Sequence, residues 1–354
     1  MPSLAAVSII DFPYKTDQQE AKQYAGKLFA SASLNIDRMM QVFENTEIKT
    51  RSFCKPLSYY SDVHTFEAQN KDYISIALEY SVKAITDCIS RAHIRKEDIT
   101  DIIFLSTTGL ATPSLDALIV NKMRLNQDIC RTPVFGLGCA GGVAGFATAS
   151  KLAIGNPNAV VLMIAVELCS LTFLRNDFSK SNLVGASLFA DGIAACIITG
   201  DNHKNFTENK FAYIGSQSKL YYDTEDVMGW EFRDSGFKVL FSQDIPGIIS
   251  RNILNDVTTF LSKYQLKVSD INNFIFHPGG KKVLNSYEEA LSISSDQLKN
   301  TKDVMIDYGN MSSPTVLYVL ERFFTGGFQE GYGLMLSMGP GFSSEMVLLK
   351  MNKS

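Results

Sequence analysis

The stretch VFGLGC at residues 134–139 returns in altered form as MIDYGN at residues 305–310, a shift of 171 positions. Two further segments repeat at a shift of 172 positions, and these are DI…IF (98–104 and 270–276) and VLM/GLM (161–163 and 333–335). A shift this constant over three segments predicts a duplicated chain, because repeats of this length are duplicated domains and not solenoid units. We therefore expect two similar halves, residues 1–210 and 211–354.

Short apolar runs alternate with stretches of helical period along the whole chain, which is typical of an α/β fold. We predict strands at 102–105, 134–136, 160–166, 193–198, 274–276, 304–307 and 333–337. We predict helices at 74–92, 115–124, 143–153, 247–264, 281–290 and 314–324. Since α/β sheets place their sites at the carboxyl ends of strands, the residues after the repeated strands are the first candidates for chemistry.

Composition excludes several classes of protein. The 354 residues carry 33 basic and 37 acidic side chains, a net charge of −4, which argues against a nucleic-acid partner. The six cysteines form no C-x-x-C pair, so we expect neither a disulfide scaffold nor a structural metal, and Cys88, Cys130 and Cys196 fit buried core positions. The longest interior apolar run, 159–166, is too short for a membrane span. These features predict a cytoplasmic protein.

A thiol, an imidazole and an amide are predicted to converge from three chain segments. The repeated turns present Cys139 and Asn310, and His277 ends the strand at 274–276. Cys139 precedes a helix of small residues, which lets that helix lie buried against its counterpart from the other half. The amino terminus of this helix is expected to favour a thiolate. Asn310 also fits a simple helix cap.

Two other interpretations of the 136–141 turn compete. The spacing G-x-G-x-x-G, with Glu167 after the next strand, matches a dinucleotide-binding fingerprint. Against it, a cysteine fills a position where backbone must approach a pyrophosphate, and the counterpart turn in the second half lacks the glycines. A cysteine protease with Cys, His and Asn in this order is the other alternative, but the sequence around Cys139 lacks such a protease's local signature.

Seven motifs, in order and over nearly the whole chain, resemble those of type III polyketide synthases, the chalcone synthase superfamily, and its bacterial branch most closely. They are STTGLATPSLD (106–116), FGLGCAGG (135–142), VELCSLTF (166–173), FADG (189–192), HPGG (277–280), GNMSS (309–313) and GPGF (339–342). The resemblance implies a thiolase-like fold of five layers, αβαβα, made of two pseudo-duplicated halves in a homodimer. The independent repeat agrees with it.

The resemblance also implies roles for individual residues. Cys139 matches the acyl-carrying nucleophile, and His277 and Asn310 match the catalytic histidine and asparagine. Phe189 matches the gatekeeper between access tunnel and cavity. The residues that match cavity-lining positions are Thr107, Cys169, Thr172 and Ser312. Two departures stand out, because Trp230 aligns with a glycine on the cavity floor and Val239 with a second gatekeeper.

Coenzyme A contacts are expected at two places. Lys281 and Lys282 open a predicted helix after Gly279 and Gly280, where the helix dipole disfavours positive charge, and this suggests a phosphate ligand. Arg38 aligns with a coenzyme A contact of the family.

The predicted reaction is loading of an acyl-CoA starter on Cys139, extension by decarboxylative condensation with malonyl-CoA, and cyclisation. His277 and Asn310 would hold the enolate oxygen, and the chemistry needs no metal, flavin or nicotinamide. Trp230 and Val239 together predict a narrow apolar channel for fatty acyl starters, giving alkylpyrones or alkylresorcinols. The alternatives are a 3-oxoacyl-carrier-protein synthase III-like enzyme and a non-catalytic paralogue with the same fold.

Overall fold

The computed structural model describes residues 1–30, 36–203 and 210–353, with the backbone alone at 36–38. The strands are β1 (Ser3–Ile9), β2 (Tyr14–Asp17), β3 (Thr50–Phe53), β4 (Asp101–Leu105), β5 (Cys130–Val134), β6 (Val160–Leu168), β7 (Asp191–Thr199), β8 (Phe211–Leu220), β9 (Met228–Arg233), β10 (Gly236–Phe241), β11 (Ile271–Phe276), β12 (Gly331–Gly339) and β13 (Ser343–Met351). The helices are α1 (Gln18–Phe29), α2 (Ile36–Glu44), α3 (Phe66–Arg91), α4 (Leu115–Met123), α5 (Gly141–Gly155), α6 (Lys180–Leu188), α7 (Ile245–Ser262), α8 (Lys281–Leu291), α9 (Lys299–Tyr308) and α10 (Thr315–Gly326).

Nine strands form one sheet in the order β11-β12-β13-β8-β1-β7-β6-β4-β5. Outward from the centre, each half pairs its strands in the same way. β1 is antiparallel to β7, β7 to β6, and β6 is parallel to β4; likewise β8 is antiparallel to β13, β13 to β12, and β12 is parallel to β11. The halves meet where Ser3 pairs with Ala212. The predicted duplication is therefore visible in the strand order itself.

Helices cover both faces of the sheet and fill the space between its halves. Helices α5 and α10 lie in the middle and contact strands of both halves, while α3 packs on β1 and β7. Helices α7 and α8 pack over β11–β13 in a cluster of their own. This succession of helix, strand, helix, strand and helix layers is the predicted five-layered α/β architecture. The small residues of α5 allow the close contact with α10.

One predicted strand is wrong. Residues 304–307, expected as a strand, form the last turns of α9. Thr301, Val304 and Met305 are buried and their neighbours are not, which is the three-and-four spacing of a helix face. In the first half the corresponding position is the edge strand β5, which starts and ends earlier than the predicted 134–136. The duplication therefore breaks down at the segments that lead to Cys139 and Asn310.

The remaining predicted elements are present, with ends that shift by a few residues and a longer α3. β6 and β7 are buried along their whole length, in keeping with their apolar sequences. Cys88 and Cys196 are buried as expected, but Cys130 is exposed, because it starts the edge strand β5. No helix among the described residues is long and apolar enough to cross a membrane.

Candidate active site

Cys139 lies in a single 3₁₀ turn, Gly138–Ala140, between β5 and α5. Gly138 has a φ of +47°, and a Cβ atom there would lie 2.7 Å from the Pro340 side chain. Only glycine fits a left-handed backbone pressed so closely against another loop. The side chain of Cys139 is 6% exposed, so the thiol is held in the interior at the amino terminus of α5.

Asn310 follows α9, and its amide is held in one orientation. The backbone N–H of Ser312 donates to Asn310 Oδ1 at 2.8 Å, and the Cys139 thiol lies 3.9 Å from the same oxygen. Because Oδ1 is the acceptor in both contacts, the Nδ2 group is the part of the amide that remains to serve a substrate oxygen. The asparagine is thus arranged as a donor.

His277 directly follows β11, and its backbone N–H donates to Leu336 O on β12 at 2.8 Å. The side chain is 3% exposed, and within the described part of the chain neither ring nitrogen has a hydrogen-bond partner. Buried polar groups are nearly always paired, so an unpaired imidazole here indicates a group that serves a ligand.

The three side chains line one cavity. Its other walls are apolar, apart from Gly279 and the Tyr287 ring: Met228, Phe241, Ile245, Ile249, Val283, Met338 and Phe342. The convergence predicted from the sequence is therefore present in the structure, although the catalytic roles stay predictions. The apolar walls exclude water, which strengthens any hydrogen bond made to a developing charge.

Burial sets the protonation of this cavity. Burial raises the pKa of the Cys139 thiol to about 12, and contacts with Ser312 and Asn310 offset this only in part. Burial also lowers the pKa of His277 to about 3. The structure therefore favours the thiol of Cys139 over the expected thiolate. Loss of hydration destabilises the thiolate more than the amino terminus of α5 stabilises it. A neutral imidazole at His277 supplies no positive charge to offset that loss. A thiol and a neutral imidazole face the cavity at pH 7.

A buried carboxyl group stands behind the cysteine. Glu167, at the end of β6, accepts hydrogen bonds from the Thr107 backbone N–H at 3.0 Å, Thr108 Oγ1 at 2.8 Å and Ser313 Oγ at 3.0 Å. Burial raises its pKa to about 7, against these three donors. A glutamate enclosed in this way cannot hold a ribose, which removes the acidic partner that the dinucleotide interpretation needs.

The glycines of that fingerprint also have another purpose. A Cβ atom at Gly141, the third glycine of the fingerprint, would lie 3.0 Å from the Ser313 side chain. The second-half loop thus occupies the space next to the glycine. The glycine allows two protein segments to pack, so nothing about it requires a pyrophosphate.

A second cavity, with a volume of about 90 Å³, is lined in part by Phe189. Five of the residues predicted to line the substrate cavity are found here: Cys169, Thr172, Phe189, Trp230 and Val239. Residues of α1 that the sequence reasoning missed form another wall, namely Ala21, Tyr24, Ala25, Leu28 and Phe29. Their spacing of three and four residues along a helix is the signal that could have revealed them.

The other two predicted lining residues lie behind the catalytic loops. Thr107 Oγ1 accepts a hydrogen bond from the Gly138 backbone N–H at 3.1 Å, next to the cysteine. Ser312 donates its backbone N–H to Asn310, as described above. Both residues support the loops that carry the candidate catalytic groups.

Trp230 and Val239 lie directly opposite each other in the β9–β10 hairpin. Cross-strand partners share one face of the sheet, so both side chains face the second cavity, and their roles as floor and second gatekeeper stay predictions. The Trp230 ring packs 5.9 Å from the Phe237 ring, centroid to centroid. Together the two residues shape a single wall of the second cavity.

The predicted coenzyme A residues lie at different places. Gly279 lines the catalytic cavity, and Gly280 precedes α8 without a side-chain cap. Lys281 and Lys282 are exposed in the first turn, and Lys281 forms an ion pair with Glu47 at 2.6 Å. Arg38 is in α2, and its side chain lies outside the described residues.

Comparison with known families decides the assignment. The family described as chalcone and stilbene synthases, N-terminal domain, matches residues 59–202, and the corresponding C-terminal domain matches residues 214–352. The chain belongs to the chalcone and stilbene synthase family. This confirms the resemblance found in the motifs, while the division at residue 210 stays a prediction.

Two relatives of this family match over nearly the full length. The "Putative chalcone synthase" of Bacillus subtilis (strain 168) is 40% identical over 350 residues, covering 96% of each chain. The 1,3,6,8-tetrahydroxynaphthalene synthase of Streptomyces peucetius subsp. caesius is 33% identical, covering 98% of this chain and 93% of its own.

A solved structure supports the same family and the thiolase-like fold. It is the 1,3,6,8-tetrahydroxynaphthalene synthase of Streptomyces coelicolor A3(2), described as a bacterial type III polyketide synthase. It superposes with a TM-score of 0.93 at 25% identity, over 99% of this chain and all of the other. The predicted fold class is therefore confirmed.

Proposed function

We propose that this type III polyketide synthase, an acyltransferase, extends a fatty acyl-CoA starter with malonyl-CoA units and cyclises the product to an alkylpyrone or alkylresorcinol. The observation that carries the catalytic part is the buried, unpartnered imidazole of His277, which shares a cavity with the Cys139 thiol and the oriented Asn310 amide. If these three residues had only a structural role, their polar atoms would be hydrogen-bonded within the protein. The ring nitrogens of His277 are instead left to bind a substrate.

Loading is a thioester exchange on Cys139. As the sulfur attacks the starter carbonyl, its proton passes to neutral His277, the new sulfur–carbon bond forms, and the bond to the coenzyme A sulfur breaks. The departing thiolate takes the proton. Because one thioester replaces another, the acyl group stays activated for the next step.

Extension starts with loss of CO₂ from malonyl-CoA. The electron pair of the broken C–C bond becomes an enolate, whose oxygen accepts hydrogen bonds from a ring N–H of His277 and from Asn310 Nδ2. The enolate carbon then attacks the Cys139 thioester and expels the thiolate. An asparagine suits this position, because it donates a hydrogen bond without adding negative charge beside the enolate.

The second cavity supports a fatty acyl starter. Its walls combine the apolar face of α1 with Phe173, Phe189, Trp230 and Val239. Each buried methylene contributes about 0.8 kcal/mol, so a long alkyl chain gains much of its binding energy in such a channel. The side chain of Trp230 takes up space that a large aromatic polyketide would need.

The test is a comparison of kcat/KM for hexanoyl-, dodecanoyl- and coumaroyl-CoA, with labelled malonyl-CoA and products identified by mass spectrometry. We expect dodecanoyl-CoA to be preferred. A clear preference for coumaroyl-CoA would overturn the proposed starter class, but not the polyketide chemistry.

The same assay separates the two alternatives left by the sequence. It contains no acyl carrier protein, so a carrier-protein-dependent synthase III would form no product. A non-catalytic paralogue would also form none, and intact-protein mass spectrometry would find no acyl group on its Cys139 after incubation with acyl-CoA.

The proposal also covers the substrates, the cofactors, the oligomeric state and the location of the protein. Acyl-CoA and malonyl-CoA are the expected partners, with Gly280, Lys281 and Lys282 near the phosphates. The chemistry as written needs no metal or redox cofactor. The family resemblance supports a homodimer, the net charge of −4 speaks against nucleic acid, and the scattered free cysteines favour the cytoplasm. Light scattering of the purified protein tests the dimer.

A further inference from the structure

Arg51, on β3, is a buried cation without a carboxylate partner. Its side chain is 2% exposed, and it forms no ion pair within the described residues. Burial lowers its pKa to about 9, so the group is still protonated at neutral pH. The Phe43 and Phe53 rings lie 5.9 and 5.1 Å from the guanidinium carbon and hold it in place. Burying a charged group costs solvation free energy, so Arg51 needs interactions that offset this cost.

The guanidinium binds the carboxyl end of α6. Arg51 Nη1 donates to Ala186 O and to Phe189 O, both at 2.7 Å. Its Nε donates to Gln18 Oε1 at 3.0 Å, and Gln18 Nε2 donates to Ser187 O at 2.9 Å. Helix carbonyls at this end lack partners within the helix and carry partial negative charge. The carbonyls thus take the place of a carboxylate.

The same end of α6 is bonded to the catalytic asparagine. The Asn310 backbone N–H donates to Leu188 O, and the Ala190 N–H donates to Asn310 O, both at 2.9 Å. A Cβ atom at Gly309 would lie 2.9 Å from Arg51 Cγ, so the arginine also touches the residue before Asn310. Phe189, between these two backbone bonds, lines the second cavity.

We propose that Arg51, supported by Gln18, is a positioning residue that holds Asn310 and Phe189 together, so that it sets the rate of malonyl decarboxylation without taking part in acyl loading. This inference rests on the proposed function. Its physical basis is that Asn310 Nδ2 must meet an enolate oxygen at hydrogen-bond distance, whereas loading needs only the Cys139 thiol, His277 and a thioester.

The experiment measures two half-reactions in Arg51→Met, Arg51→Lys and wild type. Decarboxylation is followed as release of labelled CO₂ from malonyl-CoA, and loading as acyl transfer to Cys139 seen by intact-protein mass spectrometry. A displacement of about 1 Å costs about 10²-fold in rate, so we expect Arg51→Met to lose about 10 to 10² in decarboxylation and less than about twofold in loading. Arg51→Lys keeps the charge, so its decarboxylation rate should lie between those of wild type and Arg51→Met.

Arg251→Met is the matched control, since this arginine is exposed and pairs with the exposed Asp244 on the molecular surface. It should leave both half-reactions unchanged. If Arg51→Met fails to fold, as judged by circular dichroism, Arg51→Lys carries the test, and its ratio of decarboxylation to loading should still fall. Added methylguanidine should restore part of the decarboxylation in Arg51→Ala.

Two results overturn the inference. One is a folded Arg51 variant that decarboxylates malonyl-CoA as fast as wild type, and the other is an equal loss of both half-reactions. Absence of decarboxylation in wild type would instead refute the proposed function, so the two failures are distinguishable.

Discussion

The two cavities of this protein differ in the chemical character of their walls. The catalytic cavity presents three polar side chains on an apolar background, and each of them is placed by a loop at the end of a strand or helix. The second cavity is lined mainly by apolar side chains that come from α1, the α6 end and the β9–β10 hairpin. Under the proposed function, chemistry and starter choice therefore depend on separate elements. Substitutions in the catalytic cavity should change the reaction for every starter, and substitutions of apolar side chains in the second cavity should change only the ranking of starters.

The largest expected effect is that of Cys139→Ala. Without the sulfur no acyl-enzyme forms, so condensation should fall by about 10⁴-fold or more with every starter, as when a nucleophile is removed from other acyl-transfer enzymes. Malonyl decarboxylation should persist, because His277 and Asn310 are still present. Product analysis and CO₂ release measure the two outcomes, and condensed product from the variant would show that the nucleophile is a different residue.

Asn310→Ala should slow decarboxylation and spare acyl loading, which is the reverse of the effect expected for Cys139→Ala. Loss of one oxyanion donor typically costs about 10²–10³ in rate, so decarboxylation should fall by that factor while acyl loading changes little. The loss should be the same for hexanoyl and dodecanoyl starters, because Asn310 does not line the second cavity. A loss that depends on chain length would contradict the separation of the two cavities.

Glu167→Gln tests the buried carboxyl behind the catalytic cavity through stability. The folded-state pKa of about 7 exceeds the usual value of 4.5, so the folded protein binds more protons than the unfolded chain between these values. Stability should therefore fall as pH rises from about 4.5 to 7, by about 3 kcal/mol for this group alone.

A glutamine cannot titrate, so urea unfolding of Glu167→Gln should lack this part of the decline. The exposed Glu67→Gln is the control: the hydrogen bond from Lys71 lowers the pKa of Glu67, so this group titrates below pH 4.5 and its loss should leave the slope between pH 4.5 and 7 unchanged. An identical pH dependence in wild type and Glu167→Gln would show that Glu167 ionises in the folded protein as it does in the unfolded chain.

The smallest effect is expected in the second cavity. Ala25→Phe should place a ring in the space that a long acyl chain occupies. If it displaces about two methylenes at about 0.8 kcal/mol each, kcat/KM for dodecanoyl-CoA falls about tenfold. Hexanoyl-CoA should be nearly unaffected, and Gln23→Phe, on the exposed side of α1, serves as the control. Equal losses for both starters would place the acyl chain elsewhere.

Much of the fold could be predicted from the sequence. The buried strands β6 and β7 are apolar throughout, and the repeat at 171–172 positions predicts the duplicated strand order. Local pattern failed at 304–307, where an apolar run reads as a strand but only one side of it is buried. Burial on one side or on both depends on the neighbouring elements, and these are distant in sequence.

The candidate site divides in the same way. The sequence by itself determined the residue types and their places at chain turns: Cys139 before small residues, His277 after an apolar strand and Asn310 in the counterpart turn. Only the tertiary structure decided their protonation, the wall that α1 contributes, and the buried Arg51 that joins α6 to Asn310. These properties depend on desolvation and on contacts between residues more than 100 positions apart, such as Arg51 with Phe189, and no local sequence pattern records them.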